Sequence, residues 1–336
     1  MNSRERFLNA LTGKPTDRAP VAHVAALTTV ELQQTTGCWM PAVHHDAEQL
    51  VALCGANHTI LGFDAVTFNI NYFGEPAALG CEMDWGTPAQ LPTFKSHPWQ
   101  IPEDARIPND LLARPPICTY LDATRLARQR YPDVGVIAKI MGPLSMVQVM
   151  HGLDTVMMGL LDAPELIEGF LRVAVDVLIQ CANAELDAGA DAIAIGEGGA
   201  GGNMLSPRTH RRLLLEPHQR LLRGIQGPTI MHICGDITPR LDTIREVGLT
   251  CFNFDWAIEP ATMREAAYGA FSLMGNVNTT DLLLGTPEQI AEQVEANLDA
   301  GIDIISPGCA VSPKCPNANL QALVEAVVRW TERNAR

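Results

Sequence analysis

Eight short, nearly continuous apolar segments, separated by stretches of helical periodicity, are the feature that most restricts the fold of this chain. Strands without polar alternation are typical of parallel sheets that are covered on both faces. Eight is also the number of strands that closes a (β/α)8 barrel. We therefore predict an α/β fold, a single (β/α)8 TIM barrel with an N-terminal helix. The predicted strands are PVAHVA (20–25), DAVTFNI (64–70), VGVIAKI (134–140), ADAIAIG (190–196), PTIMHIC (228–234), TCFNFDW (250–256), FSLMGN (271–276) and IDIISPG (302–308).

The segments between these strands carry helix start and stop signals. An apolar stripe with helical spacing runs through 164–188, with a proline in its first turn and a glycine directly after it. Thr286 and Gln289 form a capping-box pattern, in which each side chain accepts from the other residue's backbone N–H group. Ser206 and Thr238, each followed by proline, predict two more helix N-termini.

One part of the chain departs from the strand–helix alternation. Residues from about 71 to 118 are rich in proline and glycine and contain only short extended stretches. A length of 336 residues lies within the range of a single α/β barrel. We therefore predict one domain, 1–336, with a loop-rich insertion at about 71–118.

The charge balance narrows the classes of partner. The sequence has 38 acidic and 24 basic residues, which gives a formal net charge of −14, and it has no run of basic residues. Nucleic acids and anionic membranes attract clustered lysine and arginine, so we expect neither as a partner. A small anionic substrate is compatible with this composition, because a few local cations can override the overall charge.

The cysteines and the hydropathy pattern favour a cytoplasmic location. Nine cysteines at scattered spacings do not suggest a disulfide framework. No apolar stretch approaches the ~18 residues of a membrane-spanning helix, and the N-terminus lacks the apolar core of a signal peptide. We predict a cytoplasmic protein, in which each thiol is buried, binds a metal or acts as a nucleophile.

His232 and Cys234 are the strongest candidates for chemistry. They lie at the carboxyl end of a predicted strand, the edge of a parallel barrel where catalytic groups gather. Side chains alternate along a strand, so these two point the same way. Cys309 follows the last predicted strand, and a His/Cys/Cys set leaves one tetrahedral position open, as in catalytic zinc sites. Cys315 competes with Cys309 for this role; we favour Cys309, which is nearer the strand end.

Four polar residues fall at the same predicted edge. Glu197 and Asp255 each follow a strand and could complete the zinc shell, orient the histidine or take a substrate proton; capping the next helix is the alternative for both. Asn276 and Asn278 are predicted to donate hydrogen bonds to a bound cofactor.

The glycine-rich loop that begins at Glu197 lacks the spacing of a phosphate-binding loop. We expect its glycines to let the backbone come close to a ligand or to let the loop move.

Longer motifs extend over nearly the whole chain: RERFLNALTGKPTDRAPV (4–21), ALGCEMDWG (78–86), GPLSMVQVM (142–150), AGADAIAIGEGGAGGNMLSP (188–207), HICGD (232–236), LMGNVN (273–278), LLLGTPEQI (282–290) and GIDIISPGCAVSP (301–313). In these motifs the chain resembles the uroporphyrinogen decarboxylase superfamily, and within it the methylcobamide:coenzyme M methyltransferase branch. The H-x-C…C pattern of the zinc methyltransferases coincides with His232, Cys234 and Cys309. The decarboxylases carry an arginine-rich stretch after the first strand, whereas residues 23–32 of this chain contain no arginine.

The resemblance implies a zinc-dependent transfer of a methyl group from a methylcorrinoid to a thiol such as coenzyme M. The corrinoid would be carried by a separate partner protein, since this chain lacks the Asp-x-His-x-x-Gly cobalamin-binding motif. Lys139, Arg211 and Arg212 are candidates for binding the sulfonate group of coenzyme M. Methyl transfer to tetrahydrofolate is the alternative, and uroporphyrinogen decarboxylation is less favoured because the arginine-rich stretch is missing.

Overall fold

Seven parallel strands in the described part of the chain form one curled sheet. The computed structural model describes residues 1–202 and 204–335. The strands are β1 (Ala65–Thr67), β2 (Met83–Asp84), β3 (Thr93–Phe94), β4 (Gly135–Met141), β5 (Ala192–Gly196), β6 (Thr229–Ile233), β7 (Cys251–Phe254), β8 (Ser272–Val277) and β9 (Ile304–Pro307). In the main sheet the order is β1-β4-β5-β6-β7-β8-β9, and every neighbouring pair is parallel. β2 and β3 pair separately and antiparallel.

Helices and turns connect these strands. The α-helices are α1 (Ser3–Leu11), α2 (Val30–Thr36), α3 (Ala47–Thr59), α4 (Gly74–Ala78), α5 (Ile117–Arg130), α6 (Pro143–His151), α7 (Leu153–Asp162), α8 (Pro164–Asp187), α9 (Pro207–Gly224), α10 (Leu241–Glu246), α11 (Pro260–Ala267), α12 (Thr279–Leu284), α13 (Pro287–Asp299) and α14 (Asn317–Asn334). Short 3₁₀ turns cover Ala42–His45, Asn69–Phe73, Pro102–Asp104, Leu111–Ala113, Gly198–Ala200 and Thr238–Arg240.

Three of the four helix signals in the sequence are confirmed. Helix α8 occupies the stripe predicted at 164–188, Ser206 caps α9 by accepting from a backbone N–H group, and Thr286 forms a full capping box with Gln289. The prediction that Thr238 caps a helix was wrong. The carboxylate of Asp236 accepts the Thr238 N–H at 2.9 Å and tightens the chain into a 3₁₀ turn, so that α10 begins only at Leu241.

The prediction of eight strands is confirmed for seven. The remaining segment, 20–25, contributes a single parallel bridge between Val21 and Ile305 of β9. Pro20 has no N–H group to donate to a neighbouring strand. The Val21 N–H group donates to the carboxylate of Asp64 at 2.9 Å instead of to a strand carbonyl. These two features explain why the segment does not form a regular strand.

The concave side of the sheet is filled by apolar side chains near the amino ends of the strands. Phe7 and Leu11 of α1 pack there against inward-facing strand residues, among them Ile137 and Ala194. A Cβ at Gly135 would lie 2.8 Å from the Phe7 ring, so glycine is needed for α1 to pack this closely. The amino end of the sheet is therefore closed, and the carboxyl end is the side on which a site can form.

Ion pairs reinforce the closed amino end. Asp64 is fully buried and contacts Arg6 at 2.7 Å and Arg18 at 2.9 Å. Asp191, directly before β5, pairs with Arg4 and Arg128, each at 2.8 Å. A buried carboxylate must be paired in this way, because an isolated buried charge is costly.

The loop-rich segment from about 71 to 118 contains β2, β3, α4, short 3₁₀ turns and irregular chain up to the start of α5. Its assignment to the same domain as the sheet stays a prediction. Among the described helices, none is by itself long and apolar enough to span a membrane; α6 and α7 would qualify only as a joined pair, and they meet at an angle of 106°.

Candidate metal centre

His232, Cys234 and Cys309 meet at the carboxyl edge of the sheet. The Nε2 atom of His232 lies 3.2 Å from the Sγ atom of Cys234 and 3.6 Å from that of Cys309. The two sulfur atoms are 3.5 Å apart. The structure thus brings together the three residues that the sequence singled out as metal ligands, and they form a nearly equilateral triangle of donor atoms.

Local backbone geometry explains how the three side chains converge. His232 lies in β6, and Cys234 follows one residue after the strand with its side chain on the same face. Gly235 then adopts φ +77°, a left-handed conformation that glycine tolerates and that turns the chain away from the site. On the other side, a Cβ at Gly308 would lie 2.7 Å from the backbone nitrogen of Trp256, so glycine lets the Cys309 loop approach β7.

The residues present fit a tetrahedral zinc ion. With Zn–S bonds of about 2.3 Å and Zn–N bonds of about 2.0 Å, a tetrahedron places nitrogen and sulfur about 3.5 Å apart and two sulfurs about 3.8 Å apart. The observed N···S separations of 3.2 and 3.6 Å and the S···S separation of 3.5 Å lie within about 0.3 Å of these values. Imidazole nitrogen and thiolate sulfur are also the donors that zinc prefers.

The two thiols titrate as a linked pair. The hydrogen bond between their sulfur atoms lowers the pKa of Cys309 to about 4, with a further contribution from His232, and raises the pKa of Cys234, which burial raises further. A divalent cation bound between the two sulfur atoms would displace their protons and stabilise both thiolates.

Glu197 is turned away from the triangle and toward α6. It is fully buried and accepts backbone N–H groups from Leu144 at 3.2 Å and Ser145 at 2.8 Å, as well as the Ser145 hydroxyl at 2.9 Å. It also accepts from His218 Nε2 at 3.0 Å. Gly142 at the N-cap offers no side chain, and a Cβ there would lie 2.5 Å from the Glu197 carboxylate, so Glu197 caps α6 from a distance. Its predicted role in catalysis stays a prediction.

Asp255 does lie on the side of the triangle. It is 6% exposed, and its negative charge raises the pKa of the Cys234 thiol. One carboxylate oxygen accepts the Ala257 N–H at 3.0 Å, which orders the loop after β7. Its predicted role in catalysis also stays a prediction.

The side chains of Asn276 and Asn278 form hydrogen bonds with backbone groups of neighbouring loops and helices. Asn276 donates from its side chain to the carbonyls of Asp255 at 3.2 Å and Ile258 at 2.6 Å. Asn278 caps α12 by accepting the Thr280 N–H at 2.8 Å. Their predicted contact with a cofactor stays a prediction.

Cys315, the competitor for the third ligand position, lies elsewhere. It is buried, its thiol donates to the carbonyl of Leu282 at 3.0 Å, and burial raises its pKa to about 12. Among the described residues, the group of histidine, cysteine and acidic side chains with a metal-binding spacing is His232, Cys234 and Cys309.

The three cations named from the sequence lie in different surroundings. Arg211 pairs with Glu246 at 2.8 Å, and Arg212 pairs with Glu168 at 3.5 Å; all four side chains are about half exposed. Lys139 is buried in β4 instead, and its ammonium group lies 5.2 Å from the centre of the Tyr72 ring. Of the three, only Lys139 is near the triangle.

A cleft of about 740 Å³ lies between the loop-rich segment and helices α6 and α7. Tyr72, Phe94, Ser145 and Gly199 are among the residues that line it. Gly198, next to the lining residue Gly199, is close to the triangle, because a Cβ at that position would lie 4.0 Å from the Cys234 sulfur. The residues that line the cleft do not include any of the three residues of the triangle.

Three residues at this edge escaped the sequence analysis. Tyr72 lies in the loop-rich segment, where no periodic pattern places it against the sheet. Ser145 and His218 sit on helices far away in sequence from Glu197, and only the folded chain brings them to its carboxylate. The one available signal for His218 was a histidine on the apolar face of a predicted helix. That pattern does not indicate which residue the histidine contacts.

The chain is similar to known proteins over nearly its whole length. The family described as Uroporphyrinogen decarboxylase (URO-D) matches residues 2–330. The chain is 32% identical over 329 residues to the methylcobamide:CoM methyltransferase MtaA of Methanosarcina barkeri (strain Fusaro / DSM 804), with 96% of each chain covered. It is 29% identical to the methylcobamide:CoM methyltransferase MtbA of Methanosarcina acetivorans, with 97% of this chain and 98% of the relative covered.

A solved structure is similar over the same length. A methyltransferase from Methanosarcina mazei superposes with a TM-score of 0.95 at 30% identity, covering 98% of this chain and 99% of that one. The resemblance seen in the sequence motifs is thus confirmed by family, relatives and structure together. The chain belongs to the uroporphyrinogen decarboxylase (URO-D) family.

Proposed function

We propose that this protein is a zinc-dependent methyltransferase that moves a methyl group from a methylcorrinoid to a thiol such as coenzyme M. The observation that carries this proposal is the triangle of His232 Nε2 and the sulfurs of Cys234 and Cys309, which has the donor types and spacing of a three-ligand zinc site. The names of its relatives, methylcobamide:CoM methyltransferases, support the same reaction.

His232, Cys234 and Cys309 would hold Zn²⁺ and leave one coordination position for another ligand. Zn²⁺, when bound there, supplies the Lewis acidity that keeps an acceptor sulfur deprotonated at neutral pH. Asp255 or a water molecule would occupy the fourth position before the acceptor binds. Glu197 cannot do so without giving up its contacts with Leu144, Ser145 and His218.

The chain positions two substrates for one displacement. The acceptor sulfur forms a bond to the methyl carbon while the cobalt–carbon bond breaks, and cobalt keeps the electron pair and passes from Co(III) to Co(I). The cleft wall formed by Tyr72 and Phe94 would orient the reactants and exclude water, which raises their effective concentration. The methylcorrinoid would arrive on a separate corrinoid protein that docks over the carboxyl edge.

We also propose that the chain is one domain and that its sheet closes as a (β/α)8 barrel. Segment 20–25 would occupy the remaining strand position, because the Ala22 N–H donates to the carbonyl of Ile305 at 3.1 Å on one side. On the other side, the Asp64 N–H donates to the carbonyl of Val21 at 2.7 Å. A single cooperative unfolding transition, seen equally by tryptophan fluorescence and circular dichroism, would support one domain.

A side-by-side acceptor assay tests the function. Methylcobalamin is mixed with the protein and with coenzyme M, homocysteine or tetrahydrofolate, and the methylated product is measured. We expect methylation of a thiol. Methylation of tetrahydrofolate alone would favour the alternative acceptor, and formation of coproporphyrinogen from uroporphyrinogen would favour the decarboxylase.

X-ray absorption at the zinc edge tests the role of the metal. Addition of coenzyme M should add one sulfur to the zinc shell at about 2.3 Å and remove one oxygen. An unchanged shell during turnover on tetrahydrofolate would contradict thiol activation even with zinc present.

A further inference from the structure

Three sulfur nucleophiles would share the proposed metal centre: those of Cys234 and Cys309 and that of the methyl acceptor. A thiolate is the nucleophilic form of a thiol, and a metal keeps its ligand thiols in that form. Neither cysteine is fully buried in the structure, so an electrophile that reaches the acceptor can also reach a ligand sulfur. The site therefore needs a feature that protects its own cysteines.

The glycine-rich loop that begins at Glu197 follows the end of β6 beside Cys234. At one end, the Glu197 N–H group donates to the carbonyl of His232 at 2.9 Å. At the other, the Gly202 N–H group donates to the carbonyl of Cys234 at 3.1 Å. Between these two hydrogen bonds the backbone passes the Cys234 sulfur, because a Cβ at Gly198 would lie 4.0 Å from Sγ. The loop thus covers one side of this sulfur.

Helix α6 holds the middle of the loop at Gly199. The Ser145 hydroxyl oxygen accepts the Gly199 N–H at 2.9 Å, and the Gln148 side-chain amide donates to the Gly199 carbonyl at 3.2 Å. Both backbone groups of Gly199 are therefore bound to α6. A Cβ at this position would overlap the Gln148 side chain, so glycine is needed for the loop and the helix to approach this closely.

The Ser145 hydroxyl is itself fixed in orientation. Ser145 is buried, and its hydroxyl donates its single proton to the Glu197 carboxylate at 2.9 Å, which leaves its lone pairs for the Gly199 N–H. Removal of the hydroxyl would leave the Gly199 N–H without this acceptor. Glu197 would keep the backbone N–H groups of Leu144 and Ser145 and its contact with His218. The loop is thus the part that the hydroxyl controls.

We propose that Ser145 and Gln148 are positioning residues that hold the glycine-rich loop beside Cys234, so that the loop shields this ligand sulfur and the methyl group passes to the acceptor. This inference rests on the proposed function, because the methylcorrinoid is the electrophile of that reaction. In the side reaction that the loop suppresses, the Cys234 sulfur forms a bond to the methyl carbon while the cobalt–carbon bond breaks, and cobalt keeps the electron pair.

Alkylation of the ligand cysteines tests the shield independently of methyl transfer. Zinc-loaded protein with a slight excess of zinc is treated with iodoacetamide, and modification of Cys234 and Cys309 is followed by peptide mass spectrometry. Ser145→Ala should raise the rate at Cys234 at least about fivefold and leave the rate at Cys309 unchanged. Gln148→Met should act in the same direction. A general loss of zinc would accelerate both cysteines, so the ratio of the two rates reports on the loop.

A substitution with the opposite expected effect strengthens the comparison. Gly198→Ala adds a methyl group at van der Waals distance from the Cys234 sulfur and should lower its alkylation rate by about twofold or more. A destabilised protein would become less protected, not more. Thr286→Ala is the matched control, since it also removes a hydroxyl that accepts a backbone N–H group, at the start of α13, and should change neither rate. Circular dichroism identifies any variant that fails to fold.

Methylcobalamin then replaces iodoacetamide, in the absence of an acceptor. Cys234 should be methylated at least about fivefold faster in Ser145→Ala than in the unsubstituted protein. Equal Cys234 modification in the unsubstituted protein, Ser145→Ala and Gly198→Ala would overturn the shield, and so would an equal rise at Cys309. If iodoacetamide gives the expected pattern but methylcobalamin methylates neither a cysteine nor an added thiol, the proposed function fails and the shield stands.

Discussion

The sulfur atoms of Cys234 and Cys309 lie 3.5 Å apart, although the two cysteines are 75 positions apart in the chain. A disulfide bond requires about 2.05 Å, so these are two free sulfurs held at the distance of two ligands of one metal ion. One sulfur follows β6 and the other follows β9, strands separated in the sheet by β7 and β8. Curling of the sheet closes that gap and creates the site.

Removal of either sulfur should release the metal. Cys234→Ser and Cys309→Ser are each expected to weaken zinc binding by more than about 100-fold, because a hydroxyl is a far poorer zinc ligand than a thiolate. Zinc per chain is measured after dialysis against a weak chelator. Cys315→Ser is the control, since that thiol donates to Leu282 away from the triangle and should leave zinc content unchanged. Full zinc occupancy in both ligand variants would disprove the assignment.

Substitution of Glu197 should destabilise the fold while zinc stays bound. In Glu197→Gln an NH₂ group replaces one carboxylate oxygen. In one orientation of the amide this NH₂ group faces the donors of Ser145, and in the other it faces the donors of Leu144 and His218. Because a donor then faces a donor, we expect a loss of about 1–3 kcal/mol in the free energy of unfolding. Urea denaturation measures that loss, and Glu216→Gln, an exposed position on α9, serves as the control. Loss of zinc in well-folded Glu197→Gln would show instead that Glu197 is a metal ligand.

The glycine before Cys309 should be intolerant of a side chain. Gly308→Ala would place a Cβ 2.7 Å from the Trp256 nitrogen and 3.2 Å from the Asn276 carbonyl oxygen, so the loop has to shift and carry Cys309 with it. We expect a stability loss of about 1–3 kcal/mol and at least tenfold weaker zinc binding. Thermal unfolding and competitive zinc titration measure the two effects. Unchanged zinc affinity would mean that the loop adapts without moving the ligand.

Glu75 should contribute a decrease in stability as the pH rises through the range in which it titrates. Burial raises the pKa of Glu75 from its ordinary value of 4.5 to about 8. Between these two values the folded protein holds a proton that the unfolded chain releases, so the free energy of unfolding decreases as the pH increases. Glu75→Gln should flatten this decrease and be more stable than the unsubstituted protein at pH values above about 8.

Urea denaturation across that pH range checks the prediction. Glu185, whose pKa burial raises to about 7, adds a decrease of the same sign. His23, His44 and His210, whose pKa values burial lowers to about 3, oppose it up to about pH 6.5. The difference between the Glu75→Gln and unsubstituted curves, rather than the slope of either one, therefore reports on Glu75. Parallel stability curves for the two proteins would contradict a buried, proton-holding Glu75.

Local patterns in the sequence were sufficient for seven of the eight predicted strands and for placing His232, Cys234 and Cys309 at one edge of the sheet. The two-residue period of β6 alone predicts that His232 and Cys234 share a face, and the position of Cys309 directly after β9 predicts the same edge. Segment 20–25 has the same apolar pattern but lacks a regular ladder, because the Asp64 side chain takes the Val21 N–H group. A hydropathy pattern does not show that a side chain will compete with a neighbouring strand for a backbone N–H group.

Long-range contacts account for what the sequence did not predict. Glu197 has the position of a catalytic acid, yet its partners Ser145 and His218 are set by the packing of α6 and α9. Lys139 and Arg211 are alternative cation candidates in the sequence, and only the burial of Lys139 and the space at Gly196 distinguish them. The surroundings of Glu197 and Lys139 depend on contacts between segments that are distant in the sequence. The spacing of residues within one segment does not predict such contacts.

The most direct test of the central claim is methyl transfer with and without metal. Zinc-loaded protein, zinc-depleted protein and zinc-depleted protein with zinc restored are each mixed with methylcobalamin and coenzyme M, and methylated coenzyme M and cob(I)alamin are measured together. We predict equal amounts of both products with the loaded and restored protein, and at least a hundredfold slower reaction with the depleted one. Equal rates with and without zinc, or no methylated thiol from any of the three, would contradict the account.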